Sequence, residues 1–502
     1  MNHLLYLCFC VLLLTFFCTD APASVLKYTD SPKDTSILIL GGGVTGIIAA
    51  RTLSERGFNN FRIIEAKSEF GGRMQSQTIG GKYVVEEGAG WIHGTQSEDG
   101  GFVNPIFELA QKHGISTQRS DITESLSFFD ENGETNFMAE LNESRNAFSK
   151  LVSLAGSRQE NGLSDISSRE GFSMIGSIPK TPTEKASEYF LFDWEYAQTP
   201  EQSSLSASTK AFTETFVPEE GGFSDENLLC VDQRGFKTLI QSEANSFLSS
   251  DQILLNSVVD KISYSETGVQ VLLTDGRKMT ADYALITFSV GVLQNDDVSF
   301  DPKLPDWKYE AIHSIKMSTF TKIFLQFPEK FWFDTEYALY ADSERGKYAV
   351  WQNLDHEDFL PGSRILVTTL TGDYAERVES LTDSQIQTYI LDTLQKMYPN
   401  TTIPDPLDFV LPKWHRDPLF RGSYSNMPTP YLPIHQENLR AVVDDTLWFA
   451  GEATSQRYYG FLHGAYTEAL NVGIELANHI EKHIINVGIH CPYKFKSIKR
   501  YQ

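Results

Sequence analysis

The feature that most constrains the fold is a glycine-rich turn near the start of the chain. A short apolar run, Ile37–Leu40, is followed by Gly41, Gly43 and Gly46 in the spacing G-x-G-x-x-G. In this pattern the first glycine permits a tight turn, the second lets the backbone approach a pyrophosphate, and the third lets a helix pack closely on the strand. The sequence therefore predicts a strand, a turn and a helix whose N-terminus binds a dinucleotide.

The residues after the turn agree with this prediction. A helix with an apolar face is followed by a second strand, Phe61–Ile64, that ends at Glu65, at about the 20-residue offset expected for the acidic residue of such sites. A carboxylate there can accept both hydroxyls of an adenosine ribose, and it argues against NADP. Gly71, Gly72 and Arg73 come next and predict a second turn around the phosphates, with a guanidinium on them.

The length and the net charge of the chain limit which architectures and which partners are plausible. A chain of 502 residues is too long for one ordinary core. We predict an α/β (α+β overall) protein with a Rossmann-like dinucleotide domain from 34–104, 230–300 and 411–488, and an interleaved substrate-binding domain of mixed sheet and helices from 105–229 and 301–410. The net charge of -24 disfavours nucleic acid as a partner. It suits a cationic substrate, and a solvated acidic surface explains it equally well.

The N-terminus resembles a signal peptide. Residues 4–17 are apolar and Ala21-Pro22-Ala23 fits a small-residue cleavage site, so we expect a signal peptide over 1–23 and a secreted protein, extracellular or in the cell wall. The run is short for a membrane span, and none is predicted. Cleavage would leave Cys230 and Cys491, which either pair or stay free. Two glycosylation sequons, at Asn142 and Asn400, agree with secretion. The C-terminal tail, 489–502, is basic.

Three further stretches present side chains suited to chemistry. A glycine-rich segment from Glu87 leads to Trp91 and His93, although a histidine with its bonds satisfied inside a loop is the alternative. The run Asp193-Trp194-Glu195-Tyr196 interleaves carboxylates with aromatic rings that together can hold a cation, or it forms an ordinary helix surface. Lys322 lies in an alternating strand, where it either guards a sheet edge or points into a cavity.

The later part of the chain predicts more strands and a second contact with the cofactor. Strands at 258–262, 269–273 and 283–288 are expected to be joined by hairpins, with a turn at Asp275-Gly276. A buried strand ends at Gly451-Glu452, and a glycine turn containing Phe461 then opens a helix that runs to about Ile485. This second helix N-terminus suits a cofactor contact.

Taken together, the motifs resemble the flavin-dependent amine oxidases, most specifically the polyamine oxidases, including the secreted plant type. The resemblance covers nearly the whole chain after the signal peptide. It rests on the following anchors: Gly41 to Gly46, Gly71-Gly72-Arg73, Trp91-Ile92-His93-Gly94, Val231-Asp232-Gln233-Arg234-Gly235, Thr321-Lys322-Ile323-Phe324-Leu325, Gly451-Glu452 and Gly460-Phe461-Leu462-His463-Gly464. It implies FAD bound at the first glycine turn and held by Thr45, Glu65, Arg73, Val259 and Glu452.

The resemblance also implies the active-site residues. Tyr424 and Phe461 occupy the positions of the aromatic pair in front of the flavin. Lys322 matches the lysine that positions a water near the flavin N5 and is a predicted catalytic residue. His93, where secreted plant enzymes carry a glutamate, is predicted to be catalytic and to bind substrate. Substrate binding is further predicted for Trp91 and Glu195.

Two departures from related sequences are informative. Ser423 stands where monoamine oxidases attach their flavin to a cysteine, so FAD is expected to be noncovalent. Phe320 replaces a tyrosine of the plant type, which removes one hydroxyl. No metal site is predicted, because the sequence has no His-x-His pair to bind copper.

The predicted function is FAD-dependent oxidation of a secondary amine of spermine, spermidine or an acetylated derivative, with O2 as acceptor and H2O2 as product. An L-amino-acid oxidase is the nearest alternative, a histone demethylase is disfavoured by the signal peptide, and a Rab-escort-like binding protein is the non-enzymatic alternative. The carbon that is oxidised, the preferred polyamine and the oligomeric state do not follow from the sequence.

Overall fold

A computed structural model describes residues 32–96 and 102–489. The predicted signal peptide, Cys491 and the basic tail lie outside these residues. The predicted α/β fold class is confirmed: strands and helices alternate through the chain in several sheets. No helix within the described part of the chain is long and apolar enough to cross a bilayer.

A five-stranded parallel sheet carries the glycine turn. Its strands, in spatial order, are Ile253–Leu254, Phe61–Ile64, Ile37–Leu40, Tyr283–Ile286 and Leu447–Phe449. Every residue of the central strand is buried, as expected for a parallel sheet covered on both faces. The strands come from distant parts of the chain, as a discontinuous domain requires. The exact domain boundaries stay a prediction.

Helices cover one face of this sheet and a second sheet covers the other. The helices are Val44–Glu55, Thr238–Phe247 and Leu462–Ile489, whose apolar side chains share a core with Ile39 and Ile63. The second sheet has the order Lys278–Ala281, Gly268–Leu273, Val259–Ser265 and Ser299–Asp301. Its apolar face packs on Leu38, Leu40 and Ile64. The glycine turn thus lies at one edge of a three-layer unit.

One predicted hairpin is wrong. The Asp275-Gly276 turn leads into Lys278–Ala281, which pairs antiparallel with Gly268–Leu273. Tyr283–Ile286 instead runs parallel to Ile37–Leu40 in the other sheet. The sequence concealed the short strand because half of its residues are exposed and none is fully buried, so it lacks the apolar alternation that marked its neighbours.

A seven-stranded sheet forms the centre of the remaining part. Its order is Asp408–Val410, Phe320–Gln326, Ile365–Thr371, Val350–Asn353, Tyr337–Ala341, Leu126–Asp130 and Gly133–Thr135. Helices Gly372–Glu379 and Asp383–Met397 pack on one face and Pro182–Leu191 on the other. The strand with Lys322 alternates as predicted: Ile323, Leu325 and Phe327 join one core, and Phe324 joins another on the opposite face.

The other elements connect these sheets. Three small sheets consist of Ser76–Ile79 with Tyr83–Glu86, Lys316–Ser318 with Tyr424–Asn426, and Trp91–His93 with Asn227–Cys230 and Thr117–Arg119. The further α-helices are Pro105–Lys112, Met138–Glu160, Ser168–Met174, Asp193–Tyr196, Leu205–Phe216, Val290–Gln294, Asp306–His313 and Pro433–Arg440. Short 3-10 turns lie at Pro32–Asp34, Pro218–Glu220, Ser250–Gln252 and Glu452–Thr454.

Candidate active site

One large cavity lies between the glycine turn and the seven-stranded sheet. Its volume is about 890 Å³, which is large enough for a cofactor together with a substrate. It brings together every predicted site residue except Gly46: Gly41, Gly43, Thr45, Glu65, Arg73, Trp91, His93, Glu195, Val259, Lys322, Tyr424, Glu452 and Phe461. Residues separated by hundreds of positions in sequence therefore share one concave surface.

The glycine turn has the geometry that a pyrophosphate site requires. Gly41 has φ +117°, and a Cβ on Gly46 would lie 1.9 Å from the carbonyl oxygen of Gly41, so Gly46 lies beneath the turn rather than in the cavity. Gly72 crosses Gly43 so closely that its Cβ would lie 3.0 Å from the Gly43 Cα. The predicted second turn is thus wrapped against the first, and both leave backbone open to the cavity.

Glu65 ends its strand beside this turn. Its carboxylate accepts hydrogen bonds from the backbone N–H groups of Gly42 and Lys67, each at 2.7 Å, and burial raises its pKa. The amide of Ser257 donates to the Glu65 carbonyl, which brings Val259 to the same end of the cavity. This placement of Glu65 and Val259 suits contacts with the adenosine portion of FAD, which stay a prediction.

Arg73 and Glu452 form an ion pair that links the second glycine turn to the C-terminal part of the site. Nη1 of Arg73 donates to Oε1 of Glu452 at 2.8 Å and to the carbonyl of Ser423 at 3.0 Å. Glu452 also accepts from the hydroxyl of Ser425 at 2.5 Å and from the N–H of Gly460 at 2.8 Å. Buried Glu452, paired with the partly exposed Arg73, thereby fixes Gly460, the glycine that precedes Phe461.

Lys322 points into the cavity and is held by backbone carbonyls. Its Nζ donates to the carbonyl oxygens of Glu86 at 2.9 Å and Gly88 at 2.6 Å. Burial lowers the pKa of Lys322 to about 8, against the opposing effect of the Glu86 carboxylate. The interpretation as a surface guard is therefore wrong, and the ammonium keeps one N–H for a third partner.

His93 lies at the end of its strand, against the ring of Phe461. The two ring centroids are 5.3 Å apart in an edge-on arrangement, and Phe216 lies 6.1 Å from His93. The side-chain amide of Asn104 donates to the His93 carbonyl at 2.9 Å, which fixes this stretch of backbone. Burial lowers the pKa of His93 to about 4, so the imidazole is neutral near pH 7 and can accept a hydrogen bond.

Glu195 and Tyr424 form the opposite wall. The Tyr424 hydroxyl donates to the backbone carbonyl of Glu195 at 2.8 Å, and the Tyr424 ring lies 5.9 Å from that of Phe320. The Glu195 carboxylate has no hydrogen-bond or ion-pair partner among the described residues, and burial raises its pKa to about 7. A carboxylate left alone in an aromatic cavity is a binding group for a cation.

Sequence reasoning missed two sets of residues. The first is aromatic: Phe190, Phe212 and Phe216 also line the cavity, and the spacing of the last two on Leu205–Phe216 is a signal that could have suggested a shared face. The second is Arg345, which holds Asp193 through Nε at 2.9 Å and Nη2 at 2.6 Å and so fixes the short helix that carries Glu195. No local pattern marks that arginine.

The residues fit a noncovalent flavin dinucleotide. The two crossed glycine turns leave a cradle that side chains would fill, and the cavity continues toward Lys322 and the aromatic pair. No cysteine is among the described residues that line it, and the Ser423 hydroxyl is used in bonds with the N–H and carbonyl of Phe320 at 2.8 and 3.0 Å. Cys230 is buried, lies outside the cavity lining and has no disulfide partner among the described residues.

Comparison with known proteins agrees with this geometry. Polyamine oxidase 7 of Oryza sativa subsp. japonica is 34% identical over 88% of this chain and 94% of its own length. Polyamine oxidase 6 of the same plant is 33% identical over 93% and 95%, and polyamine oxidase 1 of Zea mays is 33% identical over 91% and 93%. The family described as flavin containing amine oxidoreductase matches residues 44–472. The chain therefore belongs to the flavin containing amine oxidoreductase family, and its cofactor is FAD.

Proposed function

We propose that the protein is a polyamine oxidase that acts on a secondary amine of spermine, spermidine or an acetylated derivative. The observation that carries the proposal is the Glu195 carboxylate, which has no partner among the described residues and lies in an aromatic cavity that also contains the flavin-binding turns. A cationic substrate supplies the missing partner. The names of the relatives support the same substrate class.

FAD held at the crossed glycine turns would supply a hydride acceptor for the carbon beside the reacting nitrogen and a route for the two electrons to dioxygen, with hydrogen peroxide as the product. The chain orients the substrate. Tyr424 and Phe461 present flat apolar faces to the methylene groups, while Glu195 attracts an ammonium. Water then hydrolyses the resulting imine to an aldehyde and an amine.

His93 and Lys322 supply hydrogen bonds to the reacting nitrogen and to a water. The reacting nitrogen must be deprotonated, because an ammonium has no lone pair to support loss of hydride. The neutral imidazole of His93 lies beside Phe461 and can accept a hydrogen bond from the N–H of the reacting amine. Lys322, held by two carbonyls, directs its remaining N–H toward a water in the cavity.

The proposal is tested by measuring peroxide production from the purified flavoprotein with spermine, spermidine, their acetylated forms, primary monoamines and L-amino acids. We expect polyamines to be oxidised and L-amino acids to be inert. Oxidation of L-amino acids alone would refute the proposal. The Lys322→Met variant should retain FAD and show slower flavin reduction or reoxidation; unchanged turnover would remove the role assigned to Lys322.

We also propose that the protein is secreted. The support is the signal-peptide pattern at 1–23 together with two sequons, Asn142 and Asn400, both of which are exposed. Expression in a eukaryotic secretory host should yield protein in the medium that loses mass on enzymatic removal of N-glycans. Retention inside the cells without glycans would contradict this proposal.

A further inference from the structure

An aromatic arm leads away from the predicted flavin-facing end of the cavity. Phe461 contacts Phe216, with ring centroids 6.1 Å apart, Phe216 contacts Phe212 at 5.5 Å, and Phe212 contacts Phe148 at 5.1 Å. All four rings line the cavity. The arm therefore offers a continuous apolar wall for the methylene chain of an extended substrate.

Arg145 lies at the far end of this arm. It precedes Phe148 by one turn on helix Met138–Glu160, so both side chains share a helix face, and both line the cavity. Its Nη2 donates to the carbonyl of Thr123 at 2.8 Å and its Nη1 to Oδ1 of Asn142 at 3.0 Å. A guanidinium has five N–H donors, so three remain for a ligand after these two bonds.

A guanidinium is unexpected in a cavity for polycations. The other described cations that line the cavity are Lys67, Arg73 and Lys322, and these lie at the glycine turns or on the carbonyls beside them. Within the part of the chain that the structure describes, Arg145 is thus the only lysine or arginine that lines the cavity at the aromatic arm. The carboxylates of Asp121 and Glu124 offset part of its charge, but the guanidinium still has no acceptor for a free terminal ammonium, whereas it donates readily to a carbonyl oxygen.

We propose that Arg145 is a specificity-determining residue that donates a hydrogen bond to the acyl carbonyl of an N-acylated polyamine. This inference rests on the proposed function and deepens it, because it assigns the class of substrate end group. The acylated end, which carries no charge, lies at Arg145. The methylene chain follows the aromatic arm, and a secondary amine reaches Tyr424 and Phe461.

The test compares kcat/KM for N1-acetylspermine and spermine in the wild type and in Arg145→Met, which keeps an apolar stem and removes the donors. We expect kcat/KM for acetylspermine to fall about tenfold in Arg145→Met, since a bond to a charged donor is lost. The value for spermine should stay the same or rise. Arg145→Lys, which keeps the charge, should fall between the two.

The matched control is Arg158→Met on the same helix. Arg158 lies outside the cavity lining and donates to the carbonyl of Ser164 at 2.7 Å, so both kcat/KM values should be unchanged. An equal loss for both substrates in Arg145→Met would overturn the inference. If that variant does not fold, a wild type that uses spermine more than tenfold better than acetylspermine overturns it as well. Failure to oxidise any polyamine would instead refute the proposed function.

Discussion

The proposed role of Glu195, whose carboxylate has no partner within the described part of the chain, predicts a definite pH dependence of substrate binding. Burial raises its pKa to about 7 in the free protein, and only the ionised form attracts a substrate ammonium. The affinity contributed by Glu195 is therefore fully present above pH 7 and is lost as the pH falls through that value. Relative to the high-pH limit, we expect binding to weaken about twofold at pH 7 and about tenfold at pH 6.

The Glu195→Gln variant removes this dependence while keeping the shape of the side chain. Loss of a desolvated charge pair should cost about 2 kcal/mol, or roughly 30-fold in affinity at high pH. The assay is anaerobic titration of the flavoprotein with an unreactive alkyl diamine, followed by the change in flavin absorption across pH. The wild-type to variant ratio of dissociation constants isolates Glu195 from the titration of the ligand and of other groups.

Asp225→Asn is the matched control, because this carboxylate also lines the cavity but is exposed to solvent. Its removal should change affinity by less than about threefold at any pH, since exposed charge pairs are screened. Parallel pH profiles in the wild type and Glu195→Gln would refute the assignment of Glu195 as the cation-binding group.

Three further variants test supports of the site or of the fold around it. In Arg345→Met the buried carboxylate of Asp193 loses its bidentate partner. KM for polyamines should therefore rise more than kcat changes, and the urea midpoint of unfolding should fall. An unaltered KM would contradict this prediction. Lys308→Met leaves three carbonyls at the end of helix Pro433–Arg440 without their buried donor. The free energy of unfolding, measured by chemical denaturation, should fall by about 3 kcal/mol. A loss below about 1 kcal/mol would argue against this role of Lys308. Gly46→Ala places a methyl group against the Gly41 carbonyl and should abolish FAD retention, whereas Gly156→Ala, where a Cβ meets nothing within 4 Å, should retain full flavin content.

Local geometry explains what the sequence could predict. Gly72 crosses Gly43 with a positive φ and little room for a Cβ, so glycine is favoured there, and the glycine spacing together with the flanking strand, helix and Glu65 predicted the turns. Lys322 was placed by strand alternation, a property of a few consecutive residues. The pair Asn104-Pro105 is in itself a sequence signal for the start of a helix, and the side chain of Asn104 accepts the N–H of Ile106 at the start of Pro105–Lys112.

What the sequence concealed depends on packing between distant segments. Arg145 reaches the cavity only because Met138–Glu160 packs beside Leu205–Phe216, and nothing near Arg145 in sequence indicates that neighbour. Arg345 likewise finds its aspartate across 152 positions of the chain. The pairing of Lys278–Ala281 was missed because a half-exposed strand carries little apolar signal.

The central claim is that the cavity binds a polyamine against a reactive flavin, and anaerobic mixing tests it most directly. The purified yellow protein is mixed with spermine, spermidine or an acetylated form in the absence of oxygen, and the absorbance of the oxidised flavin is followed. The account predicts rapid bleaching, and then one equivalent of peroxide per flavin when air is readmitted. A flavin that stays oxidised with every polyamine would contradict it.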